Sequence, residues 1–285
     1  MADMVIDLVD DESILRFLEG DRLWAAYGIC DLEPAHRGSA RYLASLIDGE
    51  PVALVLVLVF APPSFTALLS FGDQQGVERI VAATADLPDS ADLVVRTEHV
   101  AAFRRRYTVY DLRTMYRMTI TPRAIHQLPP DPRVERLTAA DWPALLRLYD
   151  DWTGRIFGPA MPEGAIYFGV RQGSELIAVA NTHAISYTHS IATVGGVFTR
   201  KEHRGRGLAT ATTAAVTLAL AEAGINDIVL NVQSDNLPAV AAYGRIGYTT
   251  YLDYCEGVVS SETGEQERRA SIRRRIDGPS SSRML

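Results

Sequence analysis

Arg204-Gly205-Arg206-Gly207-Leu208-Ala209-Thr210 places two glycines and two arginines just ahead of an apolar run. That composition suits an anion. A glycine loop opening a helix leaves the first backbone N–H groups unpaired, and the helix dipole makes that end positive. Glycine also lets a phosphate approach the backbone closely. Two known phosphate loops are excluded. No Lys-Ser/Thr pair follows the last glycine, as a P-loop requires, and Thr210 stands where a dinucleotide fingerprint needs its third glycine. Asp227 lies at a suitable distance for a ribose contact, but at the start of the next strand rather than its end. Tyr243 and His183 are of residue types that can donate or take up a proton. Both residue types also occur as ordinary packing residues on a helix or strand.

The elements that position this loop follow from periodicity. Residues 191–199 read as a strand. Leu208, Ala211, Ala215 and Leu218 recur at helical spacing, and Gly224 suits a helix C-terminus. Residues 227–232 read as the next strand, and Asn236 as the cap of a helix over 237–246 that carries Tyr243. Gly195-Gly196 admits a bulge or a plain strand irregularity. The stretch from Val194 to Tyr248 resembles the coenzyme A-binding core of the GNAT superfamily of N-acyltransferases. The likeness is carried by Gly-Val-Phe-Thr, by Arg204-x-x-Gly207-x-Ala209, by Leu230-Asn231-Val232-Gln233-Ser234-Asp235-Asn236, and by Ala239, Tyr243 and Gly247-Tyr248.

The resemblance implies an acyl-CoA N-acyltransferase fold, a mixed α/β sheet, with acetyl-CoA as acyl donor. It implies that backbone groups of Val197, Phe198 and Thr199 pair with the pantetheine. Arg204, Gly205, Arg206, Gly207, Leu208, Ala209 and Thr210 would hold the pyrophosphate, and Asn236 would add a coenzyme A contact. It implies that Tyr243 protonates the departing thiolate; water is the alternative donor. Ribosomal-protein alanine acetyltransferases of this family carry a glutamate where this chain has Asn231, and an amide accepts no proton. His183, two residues after Asn181 on a strand that borders the acceptor groove in the family, is the leading alternative base. Glu163, Asp150, Asp151 and a water relay stay open.

The first half has a similar outline without the loop. Residues 11–28 read as one helix, 41–47 and 51–60 as a hairpin through Asp48-Gly49, 65–71 as a strand, 73–85 as a helix, and 91–96 and 107–120 as strands. Pro62 and Pro63 stop the second strand. Where a phosphate loop would stand the chain reads Gly72-Asp73-Gln74-Gln75-Gly76; Asp73 suits a cap and repels a pyrophosphate. The half is read as GNAT-like but degenerate, without coenzyme A. Four prolines in 121–132 mark a linker, which divides the chain into domains at 1–125 and 126–285. In the second half Thr138 and Asp141 form a capping box, 165–171 and 175–186 a second hairpin, 157–164 a loop over the acceptor, 248–258 and 268–276 the last strands, and the end after 279 frays.

Composition sets the outer bounds. The 285 residues are 47% hydrophobic and 22% charged with a net charge of −7, which supports packed cores and disfavours nucleic acid and membrane surfaces. Arg104–Arg106 and Arg273–Arg275 read as solvated or ion-paired faces. Cys30 and Cys255 fit no metal motif, so no metal is expected. The opening residues lack a signal-peptide pattern, and the longest apolar run, 52–61, is too short to span a bilayer, so the cytoplasm is expected. The resulting expectation is an acetyl-CoA-dependent N-acetyltransferase acting on a primary amine of a small molecule, with room for a homodimer. A CoA-binding sensor without turnover, or acetylation of a protein lysine or N-terminus, are the competing readings.

Overall fold

The computed structural model describes residues 4–60, 65–125, 130–150 and 161–263. Outside the described residues lie Pro62-Pro63, Asp151, residues 126–129 of the linker, 157–160 of the expected acceptor loop, the 268–276 strand with its arginine run, and the end after 279.

The first half runs β1 (Met4–Leu8), α1 (Asp11–Leu18), α2 (Ala26–Cys30), α3 (Pro34–Arg37), β2 (Ala40–Ile47), β3 (Glu50–Phe60), β4 (Phe65–Gly72), α4 (Gln74–Ala83), β5 (Ser90–Val95), α5 (Val100–Arg104) and β6 (Thr108–Ile120). The second runs α6 (Pro122–Ile125), β7 (Val134–Arg136), α7 (Trp142–Asp150), β8 (Tyr167–Gln172), β9 (Glu175–Ser186), β10 (Ile191–Thr199), α8 (Leu208–Glu222), β11 (Asp227–Gln233), α9 (Leu237–Ile246) and β12 (Thr249–Ser260).

Local signals formed where the chain itself satisfies them. Asp48 and Gly49 turn the first hairpin with φ of 52° and 88°, as a tight two-residue turn requires. Asp73 accepts the Gly76 N–H at 2.7 Å and starts α4. Thr138 and Asp141 close the expected capping box. The 11–28 helix, however, is broken. Residues 19–21 tighten to a 3₁₀ turn, and α2 starts only at Ala26. The break lets Arg22 bond the His189 carbonyl at 2.7 Å and Asp227 at 3.0 Å, while Trp24 turns inward and donates Nε1–H to the Ser70 carbonyl at 3.1 Å. Continuous helix would forfeit these long-range bonds. The strand β1, which lacks a clear periodicity, zips onto β2 from Met4↔Leu46 to Leu8↔Tyr42.

The strands form one twelve-stranded sheet in the order β1-β2-β3-β4-β5-β12-β6-β11-β10-β9-β8-β7. Its centre is an exchange. β12, from the end of the chain, pairs with β5 of the first half, as in Cys255↔Val95. β6, from the first half, pairs with β11 of the second, as in Arg117↔Asn231. β6 and β12 pair with each other, as in Met115↔Tyr254. Each half's sheet is therefore continued by the other's last strand, which covers backbone that would otherwise be an exposed edge.

Around that centre the halves repeat. β4 and β5 run parallel through Leu69↔Val94; β10 and β11 run parallel through Val194↔Leu230. Beyond these pairs no ladder partner joins them. In both halves a helix follows the first strand of the pair, α4 or α8. Val194, Leu230 and Val232 face the α8–α9 side, and Ala184, Ile191 and Val229 join the core beneath α1 and α2 on the other side. The alternation of a strand thus sends each side chain to one of two cores.

Candidate active site

The loop before α8 is built as the glycine pattern demands. Gly205 and Gly207 have φ of 77° and 76°, and Gly207 is the N-cap of α8 without any side-chain cap. Only glycine adopts this conformation at little cost. The first intrahelical bond is Ala211 N–H to the Gly207 carbonyl at 3.0 Å, so the N–H groups of Leu208, Ala209 and Thr210 precede the ladder. Thr210 Oγ1 beside them is buried without a partner. Leu208 is buried with Val170, Ile177 and Ala178 and anchors the helix start on β8 and β9. Arg204 donates Nε–H to the Thr199 carbonyl at 3.1 Å, and Arg133, which sequence reasoning missed, donates to the Arg206 carbonyl at 3.2 Å. A Cβ at 205 or 207 would meet no atom within 4 Å, so the space before the helix is open. Exposed amides, a positive helix end, arginines and open space fit a pyrophosphate.

The loop is fed by β10, whose edge is freed where β11 leaves it after Val194. Val197, Phe198 and Thr199 lie on this freed segment. The Phe198 side chain is not at the site: it is buried under α7 with Trp142, Leu145 and Leu148. Only its backbone is available to a ligand. The pairing of β10 with β9 is irregular twice, between Thr193/Val194 and between Gly195/Phe198. The second irregularity is the Gly195-Gly196 bulge, with Gly196 at φ 54°. The first leaves His183 as an extra residue on β9, and bulges of this kind re-aim side chains.

The glycine pair makes room for those side chains. A Cβ at Gly195 would fall 2.5 Å from the His183 ring, and one at Gly196 would fall 2.2 Å from Asn181 Nδ2. Asn181 donates to the Tyr149 hydroxyl at 2.8 Å, which donates to the Gly196 carbonyl at 3.0 Å. The bulge is thus pinned from α7. His183 is open to solvent by area but ringed by protein, and this desolvation holds its pKa below the ordinary value. An imidazole so held is neutral at neutral pH, as a base must be. Asn231, on β11, donates Nδ2–H to the Tyr27 hydroxyl at 3.1 Å. Tyr27 comes from α2 of the first half. Its periodicity had marked only a core face, so nothing in the sequence placed it here.

Tyr243 lies on α9, 7% exposed, in the cluster that holds Val194, Leu230 and Val232, with Val197 packed at its margin. Its ring centroid is 6.4 Å from that of Tyr248. Burial pushes its pKa up to about 12, so it keeps its proton at neutral pH. Asn236 accepts the Ala239 N–H at 3.3 Å and caps α9. Glu163 is exposed.

The matching place in the first half is filled from within. Beyond Leu69↔Val94, the Ser70 carbonyl accepts from Trp24 and the Gly72 carbonyl is bonded to His99 Nε2 at 3.1 Å. His99 Nδ1 bonds Ser70 Oγ at 2.8 Å. The chain then enters α4 at Asp73 with no loop between. Among the described residues no cluster of metal-ligating side chains occurs.

Two repeated units, each splaying a parallel strand pair before a helix, make up an acyl-CoA N-acyltransferase fold, with a glycine loop in the second unit. Residues 125–248, in the second half, match the model of the acetyltransferase (GNAT) family. A mycothiol acetyltransferase from Streptomyces bingchenggensis (strain BCW-1) is 38% identical over 92 residues, 32% of this chain and 28% of that protein. The chain therefore spans under a third of the length of that relative. Among solved structures, a Drosophila protein superposes with a TM-score of 0.71 at 16% identity, covering 91% of this chain and 99% of that one. A GCN5-related N-acetyltransferase from Kribbella flavida gives 0.57 at 18% identity, covering 87% and 97%. Both structural likenesses concern the fold, and both extend over the two halves.

Proposed function

We propose that the protein transfers an acetyl group from acetyl-CoA to a primary amine of a small molecule, with all chemistry in the second half. The observation that carries this reading is the uncapped start of α8 behind Gly205 and Gly207, set at the end of the freed β10 edge with Tyr243 beside the gap.

Bound acetyl-CoA supplies an activated thioester carbonyl and a thiolate leaving group. The amides from Gly205 to Thr210 hold its pyrophosphate, with Asn236 as a further contact, and the edge of Val197 to Thr199 pairs with its pantetheine. Backbone N–H at the Gly195-Gly196 bulge stabilises charge on the carbonyl oxygen. His183 takes the amine proton as nitrogen bonds to the acyl carbon. Tyr243, still protonated, donates to the departing sulfur. Asn231 accepts no proton and serves as a hydrogen-bonding group only. The first half, with its carbonyls occupied by Trp24 and His99, holds no acyl-CoA in this reading. The domain division at 1–125 and 126–285 is kept as a division of roles, although β6 and β12 cross it.

The small-molecule acceptor draws on the relative named for mycothiol. No described helix is long and apolar enough to cross a membrane, and the cytoplasm remains the proposed location. Free-thiol release from acetyl-CoA, measured with a panel of primary amines, tests the function. Amine-dependent release above the rate of hydrolysis is expected. Tight acetyl-CoA binding with no release for any amine would overturn catalysis and favour the sensor reading.

A further inference from the structure

Tyr27 joins two groups that the second half leaves apart. Its hydroxyl is 3.1 Å from Asn231 Nδ2 and 3.4 Å from His183 Nδ1. The first distance is an ordinary hydrogen bond. The second is long, and catalytic contacts of this kind tighten when substrate binds. Its position is over-determined. The Tyr27 ring lies 5.4 Å from the Arg117 guanidinium, which also faces Trp24 at 5.2 Å and Tyr254 at 5.6 Å. Arg117 is 1% exposed and donates to the Leu23 carbonyl at 3.0 Å. The backbone of α2 is fixed by Tyr42, whose hydroxyl donates to the Gly28 carbonyl at 2.6 Å.

We propose that Tyr27, supplied by the first half, is a positioning residue of the acceptor site that receives the Nδ1 hydrogen of His183 and so leaves Nε2 free to take the proton of the acceptor amine. This rests on the acetyl-transfer reading above, with His183 as base. A neutral imidazole carries one hydrogen, and the partner of one nitrogen decides which. Tyr27 Oη is the partner at Nδ1. The phenol hydrogen then needs an acceptor of its own. The Thr193 side chain, which also acts on the Tyr27 hydroxyl, offers its Oγ1 for that hydrogen, while Asn231 keeps donating Nδ2–H to the same phenol oxygen. The chain runs from His183 Nδ1–H to Tyr27 Oη, which also accepts Nδ2–H of Asn231, and from Tyr27 O–H to Thr193 Oγ1.

The proton count closes without ionising the phenol. The amine N–H bond breaks, its proton forms the Nε2–H bond, and the electron pair stays on the nitrogen that bonds the acyl carbon. His183 becomes imidazolium, still donating Nδ1–H to Tyr27. Burial raises the Tyr27 pKa to about 12, so it remains a neutral phenol throughout. Arg117 of β6 and Glu256 of β12 act on the Tyr27 side, the arginine favouring the ionised phenol and the glutamate opposing it. Gly195 and Thr193 of β10, and Asn181 and Tyr149 towards α7, bring no charge to His183.

Long-range ¹H–¹⁵N spectra of the full chain read the tautomer directly, with no acceptor needed. The chain has six histidines, and His183 is assigned by the signals lost in His183→Gln. The Nδ1–H tautomer is expected, and in Tyr27→Phe the His183 pKa should fall, because a bond that stabilises the imidazolium is gone. An Nε2–H tautomer, or a pKa that stays or rises in Tyr27→Phe, overturns the proposal. In thiol release with the best amine of the panel, Tyr27→Phe should lower kcat about tenfold with acetyl-CoA Kd unchanged, as one hydrogen bond is lost. It should move the acid limb of the pH profile downward and cost nothing further in a His183→Gln background. Unchanged turnover in His183→Gln overturns the base reading and the proposal with it. A slow His183→Gln beside a Tyr27→Phe of wild-type rate overturns the proposal alone.

Discussion

Gly207→Asp tests the anion site at its most exposed point. The new Cβ meets no protein atom within 4 Å, so no steric cost falls on the fold. The backbone cost is that of a non-glycine residue at φ 76°, roughly 1 kcal/mol, and aspartate tolerates that region better than most residues. A loss of about 1 kcal/mol lowers Tm by roughly 2–4 °C in a chain of this size. Aspartate is also a good helix cap, so α8 should form. Binding is another matter. A carboxylate about 4 Å from a phosphate charge is repelled by about 1 kcal/mol even at the dielectric constant of water. Two pyrophosphate charges give about 2 kcal/mol, roughly a 30-fold loss of affinity, as a lower bound. Calorimetry with acetyl-CoA at two ionic strengths measures it, and the deficit should shrink as salt rises. Gly207→Asn has the same shape without the charge and should lose much less. Affinity for Gly207→Asp equal to that of the unmodified chain would refute the loop as the pyrophosphate site. A matching change at Gly76 is no control, because its Cβ would fall 2.6 Å from that of Ala53.

Tyr243→Phe keeps the ring in its cluster and removes the proton, so kcat should fall on the order of 10²–10⁴-fold with acetyl-CoA affinity unchanged; a rate within about twofold would make Tyr243 a packing residue. Gly195→Ala puts a methyl 2.5 Å from the His183 ring, which must move; turnover should drop as far as in His183→Gln while acetyl-CoA still binds, and an unaffected rate would show that the ring is not needed there. Asp31, the C-cap of α2, is buried, its carboxyl raised by that burial from 3.8 to about 7, with His36 Nδ1 at 3.8 Å too distant to offset it. Because the folded protein holds this proton more tightly, the stability it contributes is full below pH 4 and is lost as pH rises through 7, on the order of 4 kcal/mol in all. Asp31→Asn should flatten urea-denaturation stability across that window; an unchanged slope would mean that Asp31 does not titrate there.

Features that a short stretch can satisfy alone were legible in the residues themselves. The Asp48-Gly49 turn, the Asp73 and Asn236 caps, the Thr138 and Asp141 box and the glycine loop into α8 each need only residues a few positions apart, and each formed as its residue types require. The bulge at Gly195-Gly196 was legible as a possibility for the same reason. Tertiary structure decided what joins distant stretches. Apolar spacing over 11–28 describes a helix equally well whether or not it breaks; the break follows from partners at Ser70, His189 and Asp227. Strand periodicity marks β6 and β12 as strands and is silent on which neighbour each takes, because every pairing that buries the same face looks alike in one dimension. Tyr27 reads as one more core aromatic until α2 is packed against β9 and β11. Its role as a polar group depends on Asn231, 204 positions away, and a hydrogen bond over that separation leaves no local pattern for a sequence to show.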